Sequence, residues 1–411
     1  MGIRTLLRYL IGDRDAILQI AASRRAFWLG LAFVLSAGFA REYDGEDLTA
    51  EPWHLVIPLA ASLVSSLLLF SLLFLKVAWN DPRRPAQWSA YGSFLTLFWM
   101  TAPLAWLYAI PYERFLSPGN AVAANLYTLA LVAAWRVVLM IRVAIVLMGY
   151  RPFQAAFLVI GFADVVALSA VYLMPKPTIF AAMGGIRLSE AEQAITGATL
   201  MVGCWGMASL PIWLIGGLSA ILKGKPVWQV PAGECASIPD RGLWALAALS
   251  LAAWIPILPS TQAEQRLRHQ AEHDLKAGQI DAALAFMSAH EAHAFPPLWD
   301  PPPRVGYADA APHLLDVLDA MTKDTPAPWV REQYIAKLKR ALGSPFTAHR
   351  LALNDAGRLA KTLRLLPEGT AIVDECRDTL EWYVRQKNLP KNDADALQAL
   401  LDESRQHDAT K

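Results

Sequence analysis

The chain has 411 residues, of which 55% are hydrophobic and 18% charged, and its formal net charge is +1. Soluble domains usually contain about 45–50% apolar and about 25% charged residues, so this composition excludes a purely soluble protein. The near-zero net charge argues against a nucleic-acid partner, and three scattered cysteines argue against a disulfide scaffold. The composition therefore indicates an integral membrane protein.

The first 25 residues precede the apolar segments and have an amphipathic pattern. Apolar side chains recur on one helix face at Ile3, Leu6, Leu7 and Leu10, with arginines between them. The pattern predicts either a helix lying in the cytoplasmic membrane interface or a short helix docked on the bundle. Together with the next apolar run it also resembles a cleaved signal peptide, although about 25 residues is long for the leading basic region.

Seven apolar stretches approach or reach the roughly 20 residues that a helix needs to cross a bilayer. They cover residues 26–40, 55–75, 88–110, 121–148, 153–174, 194–222 and 243–259. Backbone polar groups cannot stay unpaired in lipid, so these stretches are predicted to be helices. The first and last, with 15 and 17 residues, are shorter than a full crossing requires. Small residues in the sixth, Gly206 and Gly216 among them, predict close helix packing.

Charged residues become denser after residue 260. Residues 1–260 carry 18 Lys and Arg and 14 Asp and Glu, whereas residues 261–411 carry 19 and 22. We therefore predict an all-α fold with a transmembrane helical bundle over residues 26–260 and a soluble helical domain over residues 261–411.

Three charged residues fall inside the predicted spans: Arg136 and Arg142 in the fourth and Asp164 in the fifth. Each costs at least ~2.5 kcal/mol on insertion scales, so each should have a partner or water. Because a short connection makes these spans neighbours, we predict an Arg136–Asp164 ion pair, with Arg142 reaching toward the cytoplasmic surface. The pair either fixes helix register, which we favour, or belongs to an ion, proton or substrate path.

The segment after residue 260 is predicted to be helical throughout. Helices are expected over residues 262–276, 280–291, 308–322, 328–342, 350–365, 369–387 and 392–405. Residues 271–286 resemble one tetratricopeptide-type helix pair with a glycine turn. The proline-rich run 295–304 is predicted to be a semi-rigid connector and a candidate docking site.

One short motif in this segment has metal-binding spacing. His269, Glu272 and His273 match H-x-x-E-H, the pattern of inverted zinc proteases, in which Glu272 would be the general base. His and Glu are also ordinary on polar helix surfaces, and the neighbouring residues are polar. We therefore interpret the match as a solvated helix, predict no catalytic residue and no cofactor, and keep a zinc site as an alternative.

Residues 33–48 (FVLSAGFAREYDGEDL), 98–118 (FWMTAPLAWLYAIPYERFLSP) and 183–190 (MGGIRLSE) are similar to a family of bacterial multi-pass inner-membrane proteins. The resemblance covers the membrane part and brings no activity or catalytic residue with it. It implies a location in the bacterial inner (plasma) membrane. The polytopic plan is loosely similar to that of Yip1-type membrane proteins, whose five-span pattern is shorter.

These observations favour a non-enzymatic integral membrane protein, a scaffold or accessory protein that anchors a helical interaction domain. The expected partners are the lipid bilayer and a protein bound by residues 261–411, and not nucleic acid. A transporter or channel that uses Arg136, Arg142 and Asp164 is the first alternative. A membrane-tethered zinc hydrolase containing His269, Glu272 and His273 is the second.

The loop charges predict the orientation. Alternate loops carry 12 Lys and Arg on one side and 4 on the other, and short loops rich in Lys and Arg stay in the cytoplasm. The N-terminus is therefore expected in the cytoplasm, and seven crossings place residues 261–411 on the exported side. A reporter active only outside the cytoplasm should be active when fused after Lys411 and silent after Arg84. The reverse pattern would contradict this orientation.

Overall fold

The computed structural model describes residues 1–173, 189–229, 238–304, 312–343, 355–385 and 390–409. These residues form α-helices and short 3-10 helices, and no strand occurs among them, which confirms the all-α prediction. The chain divides into two compact units, Met1–Met174 with Ala194–Ala263, and Pro175–Gln193 with Glu264–Lys411. Residues 183–188, Cys235 and the predicted helix starts at 308 and 350 lie outside the described residues.

The first unit holds the long apolar helices. Its helices are α1 (Ile3–Leu10), α2 (Arg14–Ala21), α3 (Ala26–Glu42), α4 (Val56–Asn80), α5 (Gln87–Trp99), α6 (Pro118–Met148), α7 (Pro152–Leu173), most of α8 (Glu190–Lys223), α9 (Arg241–Ala252) and the start of α10 (Trp254–Lys276). Six segments in the described residues are long and apolar enough to cross a membrane. A seventh is added if α2 and α3, bent by 102° at their junction, form one span.

Helix α3 lies in the hydrophobic core of the first unit. Ala26, Leu29, Phe33 and Ala40 have no exposed surface, and the helix packs against α5, α9 and the 3-10 segment Ala102–Ala109. Its 17 residues rise about 26 Å, slightly less than a bilayer core of about 30 Å. The first predicted span is therefore short, and eight of its 17 residues are buried in the protein.

Helices α1 and α2 dock on the bundle. Ile17 and Tyr9 are completely buried, and the Tyr9 hydroxyl donates a hydrogen bond of 2.5 Å to the carbonyl of Leu97 in α5. Leu7 and Ile11 remain exposed on the other face, at 59% and 78%. The structure thus favours the docked alternative, and the exposed apolar face suits contact with the membrane interface.

Helices α7 and α8 approach closely where α8 has glycine. A Cβ atom at Gly206 would lie 2.8 Å from Oδ1 of Asp164, and one at Gly216 would overlap the ring of Phe157. At Gly197, by contrast, nothing lies within 4 Å of such a Cβ. Gly206 and Gly216 therefore allow the two helices to pack, as expected for small residues between membrane helices.

The second unit has a hydrophobic core of its own. It contains the rest of α10, then α11 (Ile280–Ser288), α12 (Leu314–Lys323), α13 (Pro328–Leu342), α14 (Ala356–Leu365), α15 (Gly369–Glu375), α16 (Arg377–Val384) and α17 (Lys391–Ala409). Leu318, Leu338 and Leu359 are fully buried in this core. Gly278 adopts φ +77° in the turn between α10 and α11, a conformation that glycine adopts without strain.

The proline-rich run 295–304 packs against α13. The Tyr334 hydroxyl donates to one carbonyl of the run at 2.9 Å, and the completely buried Lys337 donates to two more. Lys337 also pairs with Asp300 at 2.7 Å. Burial lowers the pKa of the Lys337 ammonium, and attraction by Asp300 opposes that shift. The predicted connector is therefore a fixed part of the unit, because side chains of α13 donate hydrogen bonds to its carbonyl groups.

Candidate functional site

The third predicted span is a broken helix. Helix α5 ends at Trp99, and the chain continues as the 3-10 segment Ala102–Ala109. Pro103 lies in this segment and has no backbone N–H, so one hydrogen bond of an α-helical ladder is missing there. Carbonyl groups near the break therefore need donors from elsewhere in the protein, since lipid supplies none.

Side chains supply the donors at this break. The Tyr9 hydroxyl binds the carbonyl of Leu97 at 2.5 Å, and the Thr101 hydroxyl donates to the carbonyl of Phe98 at 2.7 Å. Tyr9 comes from the docked N-terminal segment, whereas Thr101 belongs to the break itself. Thr101 is 1% exposed, so its hydroxyl is sealed inside the unit.

Arg136 of α6 lies beside the same break. Its Nε donates to Thr101 Oγ1 at 3.0 Å, and its guanidinium lies 5.2 Å from the centre of the Phe98 ring. The hydroxyls of Tyr9 and Tyr108 are close enough to interact with it electrostatically. A hydroxyl and an aromatic face thus stabilise this cation, and in the described ranges no carboxylate pairs with it.

The predicted Arg136–Asp164 ion pair does not form in the structure. Asp164 of α7 instead accepts a hydrogen bond of 2.9 Å from Ser209 of α8. The prediction assumed that neighbouring antiparallel spans turn their charged residues toward each other. Arg136 faces the break after α5, whereas Asp164 faces the glycine-lined surface of α8, so each residue has its own neutral partner.

Arg142 binds the backbone of the N-terminal segment. Its Nε donates to the carbonyl of Gly12 at 2.9 Å, in the turn between α1 and α2. Gly12 adopts φ +80°, and a Cβ there would lie 3.1 Å from Arg142 Cγ. Two turns earlier on α6, Trp135 Nε1 donates to the carbonyl of Leu10 at 2.8 Å. Both bonds hold the docked segment on α6.

In the H-x-x-E-H motif of α10, the side chain of the candidate general base contacts other protein groups. Glu272 accepts a hydrogen bond of 3.0 Å from Trp299 Nε1 and pairs with Lys276 at 3.4 Å. The His273 side chain is 68% exposed. Within the described part of the chain, the group of three side chains that reaches metal-ligand spacing does not include His269 or His273.

A different group of potential ligands does reach that spacing. Glu46, Glu51 and His54, in the segment between α3 and α4, each place one ligand atom within 4.8 Å of the other two. This group was not predicted, because the loops were compared only by their Lys and Arg residues, to predict orientation. The signal that could have found it is the E-x4-E-x2-H spacing in a short loop.

The same loop contains a carboxyl group with an unusual pKa. Burial, followed by a hydrogen bond to the side chain of Glu113, raises the pKa of Asp44 to about 7. This carboxyl group is therefore protonated at a higher pH than that of an exposed aspartate.

Arg136 should be energetically coupled to Thr101 and not to Asp164. In a double-mutant cycle of Arg136→Leu with Thr101→Val, we expect a coupling of about 1–2 kcal/mol, because a hydrogen bond from a charged donor is lost. Arg136→Leu and Asp164→Asn should instead be additive to within about 0.5 kcal/mol. The free energy of unfolding is measured by denaturant titration in mixed micelles. Strong coupling to Asp164 with none to Thr101 would restore the predicted ion pair.

The chain matches no model of a known protein family, no curated protein and no solved structure in the three comparisons. The resemblance to bacterial multi-pass inner-membrane proteins and to Yip1-type proteins thus stays a prediction.

Proposed function

We propose that the protein is a non-enzymatic scaffold or accessory protein of the membrane, in which the helical bundle anchors a helical interaction domain formed by residues 261–411. The apolar helices make it compatible with an integral membrane protein. The proposal rests on the hydrogen-bond partners of the three charged residues in the predicted spans. Arg136, Arg142 and Asp164 each bind a group of the protein itself.

These three contacts serve structure. Arg136 holds the broken third span, Arg142 holds the turn between α1 and α2, and Asp164 holds α8 through Ser209. Transporters instead direct such groups toward a cavity that binds ions or substrate. A bundle whose polar groups bind one another is suited to anchoring.

The second unit supplies surface for a protein partner. Leu365 at the end of α14 and Trp382 of α16 are 57% and 44% exposed. Exposed tryptophan is enriched among the residues that contribute most to binding between proteins.

The loop charges support a cytoplasmic N-terminus, and the resemblance of residues 33–48 and 98–118 supports a bacterial inner membrane location. If α2 and α3 together form one span, the chain crosses seven times. Residues 261–411 then lie on the exported side, where the partner would be found.

The broken third span favours a transporter as the second candidate. Discontinuous helices often line substrate sites in transporters, and Arg136 lies beside the break without a carboxylate among the described residues. Such a cation would attract an anionic solute. The Arg136→Gln substitution would then abolish the flux without unfolding the bundle.

Site-specific photo-cross-linking separates the two candidates. With a photoreactive residue in place of Leu365 or Trp382 in the full chain, we expect both positions to capture the same protein, which also co-purifies at about one copy per chain. Trp382→Ala should reduce its recovery at least tenfold, about 1.4 kcal/mol. Arg385→Ala, at a side chain 77% exposed on the same unit, is the matched control and should have little effect. A chain that purifies alone and carries an Arg136-dependent anion flux in liposomes would contradict the scaffold.

A further inference from the structure

We propose that the segment between α3 and α4 binds one divalent transition-metal ion through Glu46, Glu51 and His54. One ligand atom from each side chain lies within 4.8 Å of the other two. In the residues that the structure describes, this is the group of His, Cys, Asp and Glu side chains with that spacing. The site is separate from the polar contacts of Arg136, Arg142 and Asp164 and does not depend on the proposed scaffold function.

The distances suit a small ion. Ligand atoms about 2.0–2.2 Å from a tetrahedral zinc ion lie about 3.4 Å from one another. His54 Nε2 and Glu51 Oε2 are already 3.4 Å apart. The Glu46 ligand atom lies within 4.8 Å of both.

Gln262 holds the backbone that carries Glu46. This glutamine is 5% exposed, and its Nε2 donates to the carbonyls of Tyr43 and Glu46, both at 3.1 Å. Its Oε1 accepts from the N–H of Leu48 at 2.7 Å. The backbone on both sides of the first ligand is therefore fixed before any ion binds, and such preorganisation favours metal binding.

Asp47 holds the backbone between the first and second ligands. Its carboxylate is 1% exposed and accepts from the N–H groups of Thr49 and Ala50, at 3.0 and 3.1 Å. The Glu51 N–H donates to the Asp47 carbonyl at 2.8 Å, and the His54 N–H donates to the Glu51 carbonyl at 3.2 Å. All three ligands therefore extend from a backbone with defined hydrogen bonds.

The charge of the segment attracts a cation. Residues 41–55 contain five carboxylates and one arginine. Glu42 interacts electrostatically with both Glu46 and His54. Two ligand carboxylates would neutralise a divalent ion, which offsets the repulsion between them.

The ligand set selects the class of metal. An imidazole with two carboxylates suits zinc and similar transition metals, whereas calcium takes six to eight oxygen ligands. Three protein ligands leave a further coordination position for water or another small molecule. We therefore choose Zn²⁺ as the probe.

The test uses the purified full chain, stripped with a chelator and titrated with Zn²⁺ in detergent. We expect saturable binding of one ion per chain and a rise in the thermal unfolding midpoint, because the ion binds only the folded site. Glu46→Gln and His54→Gln should each weaken binding at least tenfold and remove the rise in midpoint. The variant with His269→Ala and His273→Ala, which removes the other candidate motif, should bind as the wild type does.

Several results would overturn the site. These are the absence of saturable binding, binding unchanged by Glu46→Gln, or binding lost only when His269 and His273 are replaced. A second measurement needs no variant. Co²⁺ in a four-coordinate site of imidazole and carboxylate should absorb visible light much more strongly than aqueous Co²⁺, and Zn²⁺ should remove the increase. A cobalt mixture that absorbs no more than aqueous Co²⁺ would also overturn the proposal.

Discussion

A membrane-embedded chain must pair its backbone polar groups within the protein, because lipid offers no hydrogen bonds. The break after α5 is where this requirement acts most strongly. Pro103 interrupts the helix, and the donors come from Tyr9 and Thr101. Arg136 then binds the Thr101 hydroxyl, so the position of α6 is linked to the same break. The docked N-terminal segment, through Tyr9, and the fourth span, through Arg136, thus both contact the third span at its break.

The apolar segments were predictable because hydropathy is a local property. Seven stretches were predicted, and the described residues contain six segments of sufficient length, or seven with α2 and α3 as one span. Helices were also predicted in the second unit, where the stretch 369–387 forms two helices, Gly369–Glu375 and Arg377–Val384, rather than one. The partners of Arg136 and Asp164 were not predictable from spacing. The direction of a side chain around its helix axis, together with the packing of the helices, decides which neighbour a charged residue faces. Thr101, the partner of Arg136, lies 35 positions away in the chain.

The metal-ligand candidates show the same limit. The H-x-x-E-H spacing places His269 and His273 one turn apart. The Glu272 carboxylate, however, accepts a hydrogen bond from Trp299 and pairs with Lys276. In the loop after α3 the backbone at Glu46 is held by Gln262, more than 200 positions away in the sequence. A local pattern could find the residue types, but not the distant side chain that shapes their backbone.

The central claim is that the polar groups beside the broken span are packed protein contacts and do not line an aqueous path. Reactivity of Thr101→Cys toward a small hydrophilic thiol reagent tests it directly, in nanodiscs and with Cys204, Cys235 and Cys376 replaced by alanine. Thr101 is 1% exposed, so the introduced thiol should react far more slowly than the control Arg84→Cys in an exposed loop. A thiol at position 101 that reacts as fast as the control would show water at the break and contradict a purely structural role for Arg136.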